Sequence, residues 1–178
     1  MAGISGAPVT NAAAHDEEER VLKHITILAA LAAAAMAGSA GAQERPPASE
    51  KARQIETLVD RAAALIDRNG KAAFADFRRK DSEWFHDTTY LYAYDLKGNV
   101  LLNPAFPQRE GTNVLGQKDA KGKLFHDEII RTAEAKGSGW VDYMFPKPGQ
   151  TELSQKWAYV KHVTIDGVPG LVASGFYP

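Results

Sequence analysis

Apolar residues recur along this chain first at helical and later at strand spacing, and the change of period organises it. Past residue 50 they fall at Ile55, Leu58, Val59, Ala62, Leu65 and Ile66, intervals of three and four that lay one stripe along a helix. Ser49 stands where an N-cap belongs, and Asn69-Gly70 where the helix should stop. A short second helix over 71–80 presents Phe74 and Phe77 before Asp81-Ser82 interrupts the pattern. From Tyr90 the period is two: YLYAYD sets Tyr90, Tyr92 and Tyr94 on one face and Leu91 and Ala93 on the other, and DLKGN (95–99) turns the chain into VLLN, a predicted β-hairpin. Residues 105–123 show little periodicity and predict a long surface loop, a kind of segment that commonly carries function. Helical spacing returns at Phe125, Ile129, Ile130 and Ala133 and ends at Lys136-Gly137. Strands are predicted over 139–145, 156–165 and 168–177, the last two joined by Asp166-Gly167. Helix, helix, two strands, helix, three strands predicts an α+β, PAS-like fold: a five-stranded antiparallel sheet with the helices, including the long N-terminal one, on one side.

Ahead of this domain, KHITILAALAAAAMAGSAGA (23–42) has a basic residue, an apolar run and small residues ending in Ala40-Gly41-Ala42, the pattern of a signal peptide cleaved before Gln43. Its apolar run is short and alanine-rich against the ~20 residues of a membrane span, an uncleaved anchor being the alternative. Asp16, Glu17, Glu18 and Glu19 stand where a leader carries positive charge, which suggests that translation starts near Val21; a peptide from residues 1–20 found by mass spectrometry would overturn that. The expected organisation is a leader over 1–42, a QERPPAS linker over 43–49 and one domain over 50–178, periplasmic or secreted.

Composition narrows the chemistry. Of 178 residues, 44% are hydrophobic and 24% charged, so the chain should fold around a core. A net charge of −1 favours neither nucleic acid nor an anionic membrane as partner. Without cysteine there is no disulfide, thiolate-metal site, thiol nucleophile or acylated lipoprotein anchor. Asp95 and Asp119 each open a D-x-x-G turn, but neither is followed by the carboxylates of a calcium loop. His86, His126 and His162 lack zinc spacing, and His126-Asp127-Glu128 reads as a solvated helix face. Ser138, Ser154 and Ser174 lie in no nucleophile elbow, and no phosphate loop or dinucleotide fingerprint appears, so neither catalysis nor a cofactor is expected.

The fragments DLKGNVLLNP (95–104), GTN (111–113), KDAKGKLF (118–125), GSGWVDYMFPKPG (137–149), KWAYV (156–160) and ASGFY (173–177) together resemble the single Cache domains of bacterial extracytoplasmic sensors, over about residues 50–178. The resemblance implies a long N-terminal helix on a PAS-like sheet and a pocket, for a small organic ligand such as a short carboxylate, between the sheet's other face and the covering loops. Family members often have histidine before the proline of the second strand; this chain has Asn103, so a titratable role there is lost. No second apolar stretch precedes Pro178, so the domain is expected to act without an output domain of its own, docking to a membrane receptor or kinase, with a homodimer through the long helix by analogy. By the same resemblance Lys156 projects into the pocket and pairs with a ligand carboxylate; a surface lysine at a strand end is the alternative. Tyr92 and Tyr94 offer aromatic walls with hydroxyl handles. Trp140 and Tyr143 are three apart, as are Lys156 and Tyr159, so in regular strands each pair splits between two faces, and one member of each is structural unless a bulge intervenes. Asn113 either caps the pocket loop or forms a turn. The alternative function is a pocketless Cache-type interaction or dimerisation module.

Overall fold

The structure is a computed structural model that describes Gly3 and residues 45–178. The leader, its cleavage before Gln43 and the start near Val21 lie outside the described residues. Among those described, no helix is long and apolar enough to cross a membrane.

Helix α1 (Glu50–Asn69) begins where the sequence places it: Ser49 is extended and its hydroxyl accepts the Ala52 N–H at 3.1 Å. Ile55, Leu58, Val59, Ala62 and Ile66 form its buried stripe, while Leu65 is only partly covered. Gly70 ends it at φ 56°, donating to the Ile66 carbonyl. A Cβ at Gly70 would sit 1.7 Å from Asp166 Oδ1, the atom that accepts the Lys71 N–H at 3.2 Å, so glycine here lets the end of α1 meet the last hairpin turn.

The second helix is shorter than expected. A 3-10 turn (Gly70–Ala73) leads into α2 (Phe74–Phe77), and the Ser82 hydroxyl donates to the Arg79 carbonyl and accepts the Trp84 N–H, replacing further helix with turns. Trp84 then folds over the buried Phe77, ring centroids 5.0 Å apart. A two-residue ribbon follows, β1 (Phe85–His86) on β2 (Thr89–Tyr90), too short to show any period in the sequence.

The main sheet contains β3 (Tyr92–Asp95), β4 (Val100–Leu102), β5 (Ser138–Pro146), β6 (Leu153–Ile165) and β7 (Val168–Phe176), all antiparallel, in the order β4-β3-β7-β6-β5. A bulge in the β3–β4 ladder sets Ala93 opposite Leu102 but Tyr94 opposite Val100, so Val100 and Leu102, which share a parity, enter different cores. One face, with Leu91, Ala93, Trp140, Val163 and Val172, packs on α1. The other, with Tyr92, Tyr94, Tyr143, Ala158 and Leu171, is covered by α3 (Phe125–Lys136) through Ile129, Ile130 and Ala133. Helices therefore cover both faces, a correction to the one-sided arrangement: period shows which side of a helix is buried, not which side of the sheet it takes.

The long loop is tied down. Val100 N–H donates to Thr112 O at 3.0 Å and Gly111 N–H to Val100 O at 2.9 Å, so the loop runs along β4 and shields what would be a bare edge. Arg78 grips Glu110 with two bonds of 2.6 and 2.8 Å, and Glu110 also accepts the Asn103 N–H at 2.7 Å; these partners, the arginine first, hold its carboxyl below the usual range. Asp95 and Asp119 are turn residues: Oδ1 of Asp95 accepts from Lys97 and Asn99 N–H, and Oδ1 of Asp119 from Lys121 and Lys123 N–H. Asn113 bonds Lys97 O and Asn99 Oδ1 and accepts the Leu115 N–H, which makes it a turn former.

Candidate functional site

Strand parity divides the six expected residues four to two. The β5–β6 register runs unbroken from Ser138 opposite Lys161 to Pro146 opposite Leu153, so no bulge brings Trp140 and Tyr143 to one side. Trp140 and Tyr159 lie on the α1 face, rings 5.3 Å apart, and the Trp140 indole donates to Glu56 at 2.8 Å. Placing them in the pocket is thereby corrected. Tyr92, Tyr94, Tyr143 and Lys156 lie together on the other face.

Lys156 is not at a strand end but inside β6, and it is 0% exposed. Its Nζ donates to the Tyr90 hydroxyl at 2.8 Å and lies 4.2 Å from that ring's centroid, 5.6 Å from Tyr92, 5.6 Å from Phe145, 5.4 Å from Tyr177 and 6.0 Å from Tyr143. Gly175 makes room for it: a Cβ there would come within 3.0 Å of Lys156 Cε and 2.3 Å of the Trp157 carbonyl. An ammonium has three N–H donors. One meets Tyr90, the others face aromatic rings, and among the described residues no carboxylate forms an ion pair with it. Burial accordingly pushes its pKa down to about 7. Cation–π contact recovers part of the lost hydration, but a buried cation without an anion remains costly.

The enclosure is aromatic throughout. Tyr92 and Tyr143 share a hydroxyl contact of 3.3 Å, and the Tyr177 hydroxyl donates to the Pro146 carbonyl at 2.7 Å. Burial raises the pKa of Tyr90, Tyr92 and Tyr143 well above the ordinary phenol value, so all three are neutral donors. Phe125 stacks on Tyr143 at 4.4 Å, and Phe106 meets Tyr90 and Phe145 edge-on at 5.9 and 5.2 Å. Phe85, 6.4 Å from the Tyr90 ring, also lines a surface cleft of about 620 Å³ with Ala105 and Pro107, the neighbours of Phe106.

His126 is a second correction. It is 1% exposed, its ring 5.6 Å from Tyr94, not on a solvated face. Burial, then the neighbouring Arg109 charge, pushes its pKa down to about 3. Arg109 Nη2 approaches His126 Nε2 at 3.0 Å; an arginine can only donate, so Nε2 is the acceptor and the hydrogen sits on Nδ1. The sequence reading left out Tyr90, Phe106, Arg109, Phe125, His126, Phe145 and Tyr177. For Tyr90 and Phe145 a signal existed, since each continues the alternation of a named tyrosine, and His126 precedes Ile129, Ile130 and Ala133 at helical spacing.

Fold and site define a PAS-like α+β module that holds a buried cation in an aromatic enclosure on one sheet face, an arrangement suited to small-molecule binding. Residues 76–168 match the family model dCache_2, described as a Cache domain. The chain belongs to the Cache domain family. It is 32% identical to a solved structure described as the periplasmic sensor domain of a chemotaxis protein, covering 68% of this chain and 86% of that one with a TM-score of 0.55. It shares its fold with a structure described as showing carboxylic acid recognition by a Cache chemosensory domain: 24% identity, 71% and 92% coverage, TM-score 0.60. The methyl-accepting chemotaxis protein McpP of Pseudomonas putida is 29% identical over 76 residues, which are 43% of this chain and only 14% of that receptor's length.

Proposed function

We propose that this chain is a periplasmic sensor domain that binds a small organic carboxylate through the Lys156 ammonium and reports to a membrane receptor or kinase. The buried, anion-free Lys156 carries the reading. A carboxylate beside it supplies the missing negative charge, and the neutral hydroxyls of Tyr90, Tyr92 and Tyr143 donate to its oxygens. The aromatic walls fit a short hydrocarbon part and exclude water, which strengthens the attraction. The cleft lined by Phe85, Ala105 and Pro107 is the route in, past the Phe85 and Phe106 rings that meet Tyr90. The chemotaxis relatives and the structural neighbour described as recognising carboxylic acids support the same class of ligand and of partner.

Isothermal titration of the chain with acetate, propionate and lactate, beside ethylamine and ethanol as cationic and neutral controls, tests the reading. Binding confined to the acids, weakened about a hundredfold or more in Lys156→Met, is expected; an interaction of this kind lost from a desolvated site costs roughly 3 kcal/mol. Acid binding that survives in Lys156→Met overturns the assignment of the lysine. A flat response on folded protein favours the pocketless interaction module.

A further inference from the structure

The site holds a second cation without an anion. Arg109 closes the 3-10 turn Pro107–Arg109 of the loop, and its Cζ stands 5.6 Å from the centroid of Phe145, the ring that Lys156 Nζ approaches at the same 5.6 Å. Both charges thus contact the same aromatic ring. Arg109 Nη2 donates to neutral acceptors, Gln117 Oε1 at 2.8 Å and His126 Nε2 at 3.0 Å, and its Nε is buried without a partner. His126 Nδ1, on a residue 1% exposed, is buried without a partner too. Among the described residues no carboxylate forms an ion pair with Arg109. Three other cations are answered: Arg78 by Glu110, Lys123 by Asp142 and Glu128, Lys161 by Asp60. The Arg109 charge also acts on the Tyr94 and Tyr143 hydroxyls, opposing the larger upward effect of burial, which places it at the same enclosure as Lys156.

Resting on the reading of Lys156 above, we infer that the preferred ligand is a short dicarboxylate, with one carboxylate on Lys156 and the tyrosine hydroxyls and the other on the Arg109 guanidinium. A monocarboxylate answers one pole and leaves the Arg109 Nε–H buried and unmatched, and unmet buried donors are what a site discriminates against most strongly. Two carboxylates bring the charge of the site to balance, one does not. The stacked Phe125 and Tyr143 rings, 4.4 Å apart, with Phe145 beside them, offer an apolar wall for the carbons joining the two acids. His126 takes part as a neutral acceptor that positions the guanidinium, its tautomer set by Arg109.

Titration of the chain with length-matched acids, malonate against propionate and succinate against butyrate, tests this. At least one dicarboxylate is expected to bind about tenfold or more tightly than its monocarboxylate partner, and Arg109→Gln is expected to bring that pair within about threefold. Monocarboxylates binding as tightly as their dicarboxylate partners, or a preference that persists in folded Arg109→Gln, overturns the inference. Should that variant not fold, the comparison in the unaltered chain decides by itself. Failure of the underlying reading looks different: no acid of either kind then binds the folded protein, whereas a monocarboxylate preference that depends on Lys156 removes the second pole alone.

Discussion

At the scale of the residue, Lys156 is a buried charge that lowers stability, a cost that the proposed carboxylate would offset. Its pKa falls from 10.5 when exposed to about 7 in the fold. Between those values the unfolded chain holds a proton that the folded chain has lost, so this lysine makes stability rise with pH from about 7 to about 10.5, by at most ~1.4 kcal/mol per pH unit. Below about 7 both states carry the charge and the burial penalty is present in full. Denaturant titrations across that range should show the slope in the unaltered chain and its loss in Lys156→Met. At pH 7 that variant should be more stable by about 1–3 kcal/mol, because it removes an unanswered buried charge and leaves an apolar stem among aromatic rings. A less stable Lys156→Met would mean that the ammonium is better compensated than its surroundings indicate. Binding has the opposite pH dependence. A carboxylate needs the protonated lysine, so above about pH 7 affinity should weaken by up to about tenfold per unit, with proton uptake visible as a buffer-dependent enthalpy at pH 8. His126 acts at the acid end: from 6.5 down to about 3 only the unfolded chain gains its proton, so stability is lost as pH falls, and His126→Gln should lessen that loss.

At the scale of the element, the site depends on how closely β6 and β7 approach. Gly175, opposite Ala158, has no side chain to contest the Lys156 stem, and Gly175→Ala drives a methyl against the Trp157 carbonyl. A loss of about 1–3 kcal/mol in denaturant titration is expected, with weaker acid binding as the lysine shifts. Ser49→Ala, far from the site, should cost about 1 kcal/mol through the lost cap of α1 and leave the affinity for acids as it was. Period and turn chemistry made α1, α3, the tyrosine strand and the last three strands legible, including that Trp140 and Tyr143, or Lys156 and Tyr159, cannot share a face. Which member of each pair meets the ligand was not legible, because that depends on which side of the sheet α1 takes. The ribbon of β1 and β2 is shorter than any period. The β3–β4 bulge, which separates Val100 from Leu102, has no signature in an apolar run. Arg109 sits in a stretch without periodicity, and only the folding of the loop back along β4 carries it to the enclosure.

At the scale of the molecule, the site gathers groups that lie far apart in the chain: Tyr90 and Tyr92 before the loop, Phe106 and Arg109 within it, His126 on α3, Tyr143 on β5, Lys156 on β6 and Tyr177 after β7. A ligand that touches all of them binds only the folded chain, so at about a hundred times its dissociation constant it should stabilise the fold by ~2.7 kcal/mol, a rise of several degrees in Tm. The gain should also be unevenly placed. The ribbon bearing Phe85 and Tyr90 and the loop bearing Phe106 and Arg109 stand between the cleft and the enclosure and must yield to admit a ligand, whereas α1 packs on the opposite face. One link through the sheet is on hand: the Ser174 hydroxyl donates to the Tyr90 carbonyl at 2.9 Å, tying the strand of the ammonium's partner to β7. Hydrogen exchange with and without saturating ligand should therefore show the greatest added protection at 85–92 and 105–117 and little change along α1. Protection that rises equally in α1 would mean that the ligand acts by stabilising the whole fold, and that loop and ribbon do not close over it.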